Sequence, residues 1–382
     1  MILRMWRWAL LGTLIIFQSP SMAVDPRAWG YVGWWLPQSW RSVPMEEFDR
    51  LLFFDLKVNG DGAIGERHDW PDGWSDLQRE VQVRKKSLDL VLTMFAPEDF
   101  NHLFSSVEAM QRLMDEATSL ARPTGVAGLQ LDFEIYDLAG PQPIENFKTF
   151  LRMLSTNLHR MSPPRNLSVF LPVGAEPTLY DSDSLGVVDH VVLQGYDVHW
   201  RGSKVAGPIA PLAGDDIWTW EKMVKRGDSL GVARSKLMLG FPLFGYEWPV
   251  KGIKQRSSTL GVGSTTSFAP LPLDLRGEMR FSVQERVREF GAIHDPLSGS
   301  SHYHFKGGDG QFIEGWFEDW WSLGRKVDYL VAEKIGGIAF FLLGYDGGYL
   351  VDFFLHERKS SRFPEFPLPG SDAKPVVSFI KN

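Results

Sequence analysis

Residues 128–134 read Gly128-Leu129-Gln130-Leu131-Asp132-Phe133-Glu134, with polar side chains at 130, 132 and 134 alternating with apolar ones at 129, 131 and 133. A period of two belongs to a β-strand, whose successive side chains point to opposite faces. If Leu129, Leu131 and Phe133 pack outward against helices, then Gln130, Asp132 and Glu134 point into a barrel. Two carboxylates there carry a desolvation cost that a purely structural strand has no reason to bear, so the strand end reads as catalytic. The alternative is a solvated strand end with incidental acids.

Working outward, apolar and β-branched segments bounded by turn residues predict strands at 29–35, 51–58, 88–95, 126–134, 167–173, 188–196, 236–243 and 336–342. Helical patterns lie between several of them: 107–120 carries Met110, Leu113, Met114 and Ala117 on one face, and 145–161 carries Phe147, Phe150, Leu151 and Leu154. Strand and helix alternating eight times in 382 residues fit a closed α/β barrel, the (β/α)8 TIM barrel, better than an open sheet. One interval breaks the rhythm, because the stretch from 243 to 336 is far longer than a single crossover helix needs. It predicts a small α+β insertion at 249–316, between the seventh and eighth strands, forming one wall of a cleft over the barrel mouth. The barrel then comprises 24–248 and 317–358, and the Pro-rich residues 359–382 read as a surface tail.

At the N-terminus, Arg4 and Arg7 precede a short apolar run over 8–17, with Ser21 and Ala23 at −3 and −1 of a cleavage point. Residues 1–23 therefore read as a secretory signal peptide, and the mature protein is expected to be periplasmic or secreted. A helix over that run reaches only about 15 Å of a hydrocarbon core about 30 Å thick, so no stable membrane anchor is expected. The net charge of −7, with no concentration of Lys and Arg, argues against a nucleic-acid partner. With no cysteine, the chain has no disulfide, thiolate metal site or Cys nucleophile. His302 and His304 stand at i, i+2 without a third ligand at a suitable spacing, so no metal is expected. The 15 Trp and 26 Phe suit either core filling or the stacking surfaces of a carbohydrate groove.

The segment Ala127-Gly128-Leu129-Gln130-Leu131-Asp132-Phe133-Glu134 resembles the fourth-strand signature of glycoside hydrolase family 18, the chitinase-type enzymes, written D-G-x-D-x-D-x-E. The last Asp and the Glu match, whereas Ala127 and Gln130 replace the first and middle Asp. Other segments agree in order and spacing. The stretch 51–64 resembles the family's second strand, and Gln194-Gly195-Tyr196-Asp197 its sixth-strand M-x-Y-D. The stretch 239–246 resembles its seventh strand, and 336–341 its eighth, with Phe341 where the family usually has Trp. The stretches 195–212, 245–248 and 316–319 are similar to segments of bacterial spore-cortex and cell-wall N-acetylglucosaminidases and of lysosomal chitobiases, although this chain has no LysM repeat.

The resemblance implies a retaining hydrolase of β-1,4-linked N-acetylglucosamine glycans that works as a monomer without cofactor. Glu134 would protonate the glycosidic oxygen, and the substrate's own 2-acetamido oxygen would be the nucleophile. Asp132 would hold the acetamido N–H and stabilise the oxazolinium, while Tyr196 would fix the acetamido oxygen. Gln194 and Asp197 would bind the pocket floor, with Phe341 as an apolar platform. Trp35 and Trp248, like Trp40, fall at or just after strand ends, where either sugar stacking or core packing is open to them; Trp200, following His199, either lines the cleft or packs its loop. A carboxylate at 130 would repel ionised Asp132, but the amide of Gln130 can only hydrogen-bond it. Glu134 is then expected to rely on burial and on Asp132 for its proton affinity. A chitinase-like lectin is the alternative, disfavoured because Glu134 is present. An aldolase would need a Schiff-base Lys at a strand end or a phosphate-binding Gly loop, and neither occurs.

Overall fold

The computed structural model describes residues 25–136, 139–174, 177–271 and 281–357. The expected leader at 1–23 and tail at 359–382 lie outside the described residues. The barrel strands are β1 (Arg27–Gly33), β2 (Arg50–Lys57), β3 (Ser87–Met94), β4 (Gly128–Phe133), β5 (Asn166–Leu171), β6 (His190–Leu193) and β7 (Leu237–Pro242). The insertion supplies β8 (Phe244–Val250), β9 (Ser264–Ser267), β10 (Ile293–Asp295), β11 (Ser300–Lys306) and β12 (Phe312–Phe317), and β13 (Gly337–Phe341) completes the barrel. Its eight strands close in the order β1-β13-β7-β6-β5-β4-β3-β2, every pair parallel.

The helices around the barrel are α1 (Ser75–Val83), α2 (Pro97–Ser105), α3 (Val107–Ala121), α4 (Pro141–His159), α5 (Ser182–Gly186) and α6 (Trp220–Ser229), with α7 (Val283–Phe290) in the insertion and α8 (Trp320–Ala332) and α9 (Tyr349–Glu357) near the end. The alternation in β4 sorts its side chains as the sequence requires. Phe133 points outward, its ring 6.3 Å from Phe104 of α2 and 5.8 Å from Phe147 of α4. Gln130 and Asp132 are buried on the inner face. No helix among the described residues is long and apolar enough to cross a membrane.

The second sheet is antiparallel, in the order β10-β11-β12-β8-β9. The α7 helix covers it, with Phe290 stacked 4.2 Å from Phe305. The sheet begins at Phe244, so the boundary expected at 249 falls inside β8. Only Leu243 separates β8 from barrel strand β7, and hydropathy shows no break where one apolar strand runs into the next. The sixth strand is also shorter than expected. A Cβ on Gly195 would lie 1.9 Å from the carbonyl oxygen of Gly240 in β7, so only glycine lets the chain leave the barrel there and turn to Tyr196.

A buried ion pair ties the insertion to the barrel. Lys326 of α8 donates to Glu318 at 2.6 Å and to the carbonyl of Gly299 at 3.2 Å. Ser300 of β11 donates to the other Glu318 oxygen at 2.6 Å. Both charged side chains are wholly buried, and removing one partner strands the other without water. Lys326→Met is expected to lower stability in urea unfolding by about 3–5 kcal/mol, and adding Glu318→Gln is expected to recover part of that loss.

Candidate functional site

The inner face of β4 builds the site from below. Gln130 is fully buried; its Oε1 accepts from the Tyr31 hydroxyl of β1 at 2.7 Å, and its Nε2 donates to Ser168 Oγ of β5 at 3.2 Å. The amide thus joins β1 to β5 through the barrel interior. It does not supply Asp132 as expected, since Asp132 Oδ1 is buried with no hydrogen-bond partner. Burial, reinforced by the charges of Glu134 and Asp55, holds the Asp132 carboxyl well above the usual carboxylate range.

Glu134 follows at the carboxyl end of the strand, its backbone N–H donating to Met94 of β3 at 2.9 Å. Burial pushes its carboxyl up, and the hydroxyl of Tyr136, donating to it, opposes the shift. Beyond β6, Tyr196 is buried with its ring 5.6 Å from Phe341 at an interplanar angle of 25°, and Phe244 meets it edge-on at 5.8 Å. Asp197, at φ 63°, turns to the hydroxyl of Tyr246, which donates to it at 2.9 Å. Burial pushes the Asp197 carboxyl up to about 7; Tyr246 opposes this, and the charge of Glu134 adds to it.

Glu134, Gln194, Asp197 and Trp200 line one cleft of about 830 Å³, within the range of sites that take small molecules. Gln194 is fixed in its wall, its Oε1 accepting from the backbone N–H of Val173 at 2.7 Å. Trp200 is 56% exposed, leaving its ring open to a ligand. Asp132, Tyr196 and Phe341 are not among its lining residues: Asp132 and Tyr196 are buried close along the chain to Glu134 and Asp197, and Phe341 packs on Tyr196.

Two expected stacking surfaces are placed differently. Trp35 is buried, its indole N–H donating to the Tyr345 hydroxyl at 2.7 Å and its ring edge-on to Trp34 and Phe54. Trp248 is also buried, packed by Tyr246 and donating to the carbonyl of Trp200 at 3.2 Å. Neither offers an open ring face, because Trp35 packs within the barrel end and Trp248 within the second sheet. Trp40 is buried as well. His199 is held by Asp216 at 3.0 Å, and Arg256 grips the same carboxylate at 2.7 and 3.0 Å. Among the described residues no group of three or more His, Cys, Asp or Glu is arranged to hold a metal ion.

Sequence reasoning passed over several residues of the site. Tyr136, Arg201, Trp218 and Tyr246 line the cleft. Tyr31 supports Gln130 from below, and Asp55 lies buried on β2 beside the acids. The signal for Asp55 was a lone acid inside the apolar run at 51–58; the signal for Tyr136 was its spacing of two from Glu134.

Together these features define a (β/α)8 barrel with a carboxylate-lined cleft at the carboxyl ends of its strands, where barrels of this architecture carry their sites. The family model for glycosyl hydrolases family 18 matches residues 28–346, and the chain belongs to that family. Among its relatives is the cortical fragment-lytic enzyme of Bacillus cereus, 23% identical over 307 residues, a match covering 77% of this chain and 64% of that one. The chain therefore spans just under two thirds of that relative's length. In fold it is similar to a family 18 chitinase of Cycas revoluta crystallised with (GlcNAc)3, at a TM-score of 0.69 and 18% identity over 86% of this chain and 99% of the other. It is also similar to the spore cortex-lytic enzyme SleL of Bacillus cereus, at a TM-score of 0.67 and 18% identity over 87% of this chain and 74% of the other.

The raised affinity of Asp197 for its proton has a sign that can be checked. The folded protein keeps a proton up to about pH 7 that the unfolded chain releases near 3.8, so this group makes folding less favourable as pH rises through that window. In urea unfolding across pH 4–8, Asp197→Asn is expected to flatten that decline relative to the parent, whereas Tyr246→Phe, which removes the opposing donor, is expected to extend it to higher pH.

Proposed function

We propose that the protein is a retaining glycoside hydrolase of β-1,4-linked N-acetylglucosamine glycans: peptidoglycan strands, chitin oligosaccharides or a related polysaccharide. The observation that carries this reading is the pairing of a cleft-lining Glu134, whose proton affinity burial raises, with a buried Asp132 two residues behind it on the same strand face. A general acid needs its proton at working pH, and burial beside a second carboxyl supplies that condition.

In this reading Glu134 donates to the glycosidic oxygen while the acetamido oxygen of the bound sugar attacks its own anomeric carbon, giving an oxazolinium; Glu134 then deprotonates the water that opens it, and the configuration is retained. Asp132 takes the acetamido N–H with its unpartnered oxygen and balances the positive ring. Tyr196, braced between Phe341 and Phe244, directs its hydroxyl to the acetamido oxygen, a positioning effect. Gln194 and Asp197 meet the sugar hydroxyls, Phe341 lies beneath the ring, and Trp200 stacks on a neighbouring sugar. The protein works as a monomer outside the cytoplasm, where a leader over 1–23 would send it and where such glycans are found.

Fluorogenic N-acetylglucosamine di- and trisaccharides test the reading directly. Turnover by the parent is expected, with kcat reduced roughly 10²–10⁴-fold in Glu134→Gln and affinity for the oligosaccharide retained. Binding without turnover by the parent would instead make the protein a lectin.

A further inference from the structure

The mechanism just proposed makes no use of Asp55. Asp55 of β2 is 3% exposed. One of its oxygens accepts from Thr93 Oγ1 of β3 at 2.6 Å. The other faces His68 Nε2 at 3.6 Å, too long for a hydrogen bond, and that nitrogen is buried without a partner. His68 is itself fixed by stacking on Trp34, ring centroids 4.1 Å apart and planes within 6°. In the parallel register, Thr93 is the residue directly beside Asp132. Thr93 and Asp132, adjacent in register, point to the same face. Asp55, in the bulge where the β2–β3 register shifts, joins them through its hydrogen bond to Thr93, so the three make a linked row across three strands. The acids of that row bear on one another, since Asp132 feels both Asp55 and Glu134.

Burying a carboxylate is costly unless it is paired and hydrogen-bonded, and the Thr93 bond alone offsets little of that cost. On the other side of Asp132, position 130 carries a neutral amide already committed to Tyr31 and Ser168. We propose that Asp55 is a positioning carboxylate for the acid pair. Held by Thr93, which lies beside Asp132, it supplies from β2, two strands away, the negative charge that Gln130 lacks, and so keeps one proton on the Asp132–Glu134 pair. The groups facing it are Thr93 from β3, Asp132 from β4 and His68 from the loop after β2, with Glu134 next along the row. Three like charges in one buried row cannot all form together, so ionised Asp55 makes the pair surrender its last proton only at higher pH. His68, where it is neutral, leaves that charge uncompensated.

The inference rests on the hydrolase reading for its consequence in catalysis, but the proton coupling can be measured without turnover. In ¹³C-carboxyl titrations, Asp55→Asn is expected to move the last ionisation of the Asp132–Glu134 pair to lower pH by on the order of one unit. The alkaline limb of kcat/KM on a fluorogenic N-acetylglucosamine disaccharide is expected to move with it. Adding Gln130→Asp to Asp55→Asn is expected to return both to near the parent position, which a merely structural role for Asp55 would not produce. Should Asp55→Asn fail to fold, Thr93→Val serves in its place: without its donor Asp55 is no longer held toward Asp132, and the pair is expected to shift the same way. Unchanged carboxyl titrations in a folded variant, or a shift that Gln130→Asp leaves in place, would overturn the proposal. Titrations that shift as expected in a protein without turnover would leave the coupling standing and remove the hydrolase reading instead.

Discussion

The structure depends on a carboxylate held where water cannot reach it. Asp132 is buried inside a closed barrel with one oxygen lacking any partner, an arrangement that costs a few kcal/mol if the group is ionised and is relieved if it holds a proton. The fold has to keep that site dry and rigid. Eight strands closed into a ring remove the sheet edges that would admit solvent, and the outward rows of β4 and its neighbours fix the ring against the helices. Gln130 adds a cross-link in the interior, because an amide can accept from Tyr31 and donate to Ser168 at once. That choice has a consequence. Turned to Tyr31 and Ser168, the amide makes no hydrogen bond to the unpartnered oxygen of Asp132.

The insertion matters because a barrel mouth alone is shallow. Tyr246 reaches from β8 to Asp197, so the second sheet contributes directly to the charge state of the cleft. The buried Lys326–Glu318 pair fixes where that sheet sits. Such a pair is a poor source of net stability but a strong constraint on geometry, since any displacement leaves two unpaired charges out of water. A cleft built from two elements needs a constraint of that kind, because a wall displaced by an ångström would break the contact between Tyr246 and Asp197.

Much of this was legible in the chain. The period-two row at 128–134 gave the orientation of β4 and the burial of its acids, because side-chain alternation in a strand is geometry, independent of context. Alternating strands and helices gave the barrel. The insertion's first edge was not legible, since β7 runs into β8 without a polar break. The aromatic residues divided in a way composition could not foresee: Trp29, Trp35, Trp40, Trp220, Trp248 and Trp316 are buried, while Trp200 stays open at the cleft. Hydropathy treats all of them alike, and only the tertiary packing decides which faces are covered. Asp55 was hidden for the same reason, as its meaning comes from Thr93 and Asp132 on other strands.

The geometry at the end of β6 comes from the backbone. The carbonyl of Gly240 leaves no room for a Cβ at 195, so the chain departs from the barrel at one permitted angle. Two residues later Asp197 adopts φ 63°, a left-handed conformation that Asp tolerates better than most residues but that still needs surrounding support. The support is visible: Tyr196 is wedged between Phe341 and Phe244, and Asp197 is held by Tyr246. Consecutive side chains are thereby sent in different directions, the phenol toward the barrel interior and the carboxyl toward the insertion. Strain of this kind persists where its neighbours over-determine it, and such places tend to be functional. Here it fixes the relation between a hydroxyl and a carboxyl that flexible side chains on a relaxed loop could not hold.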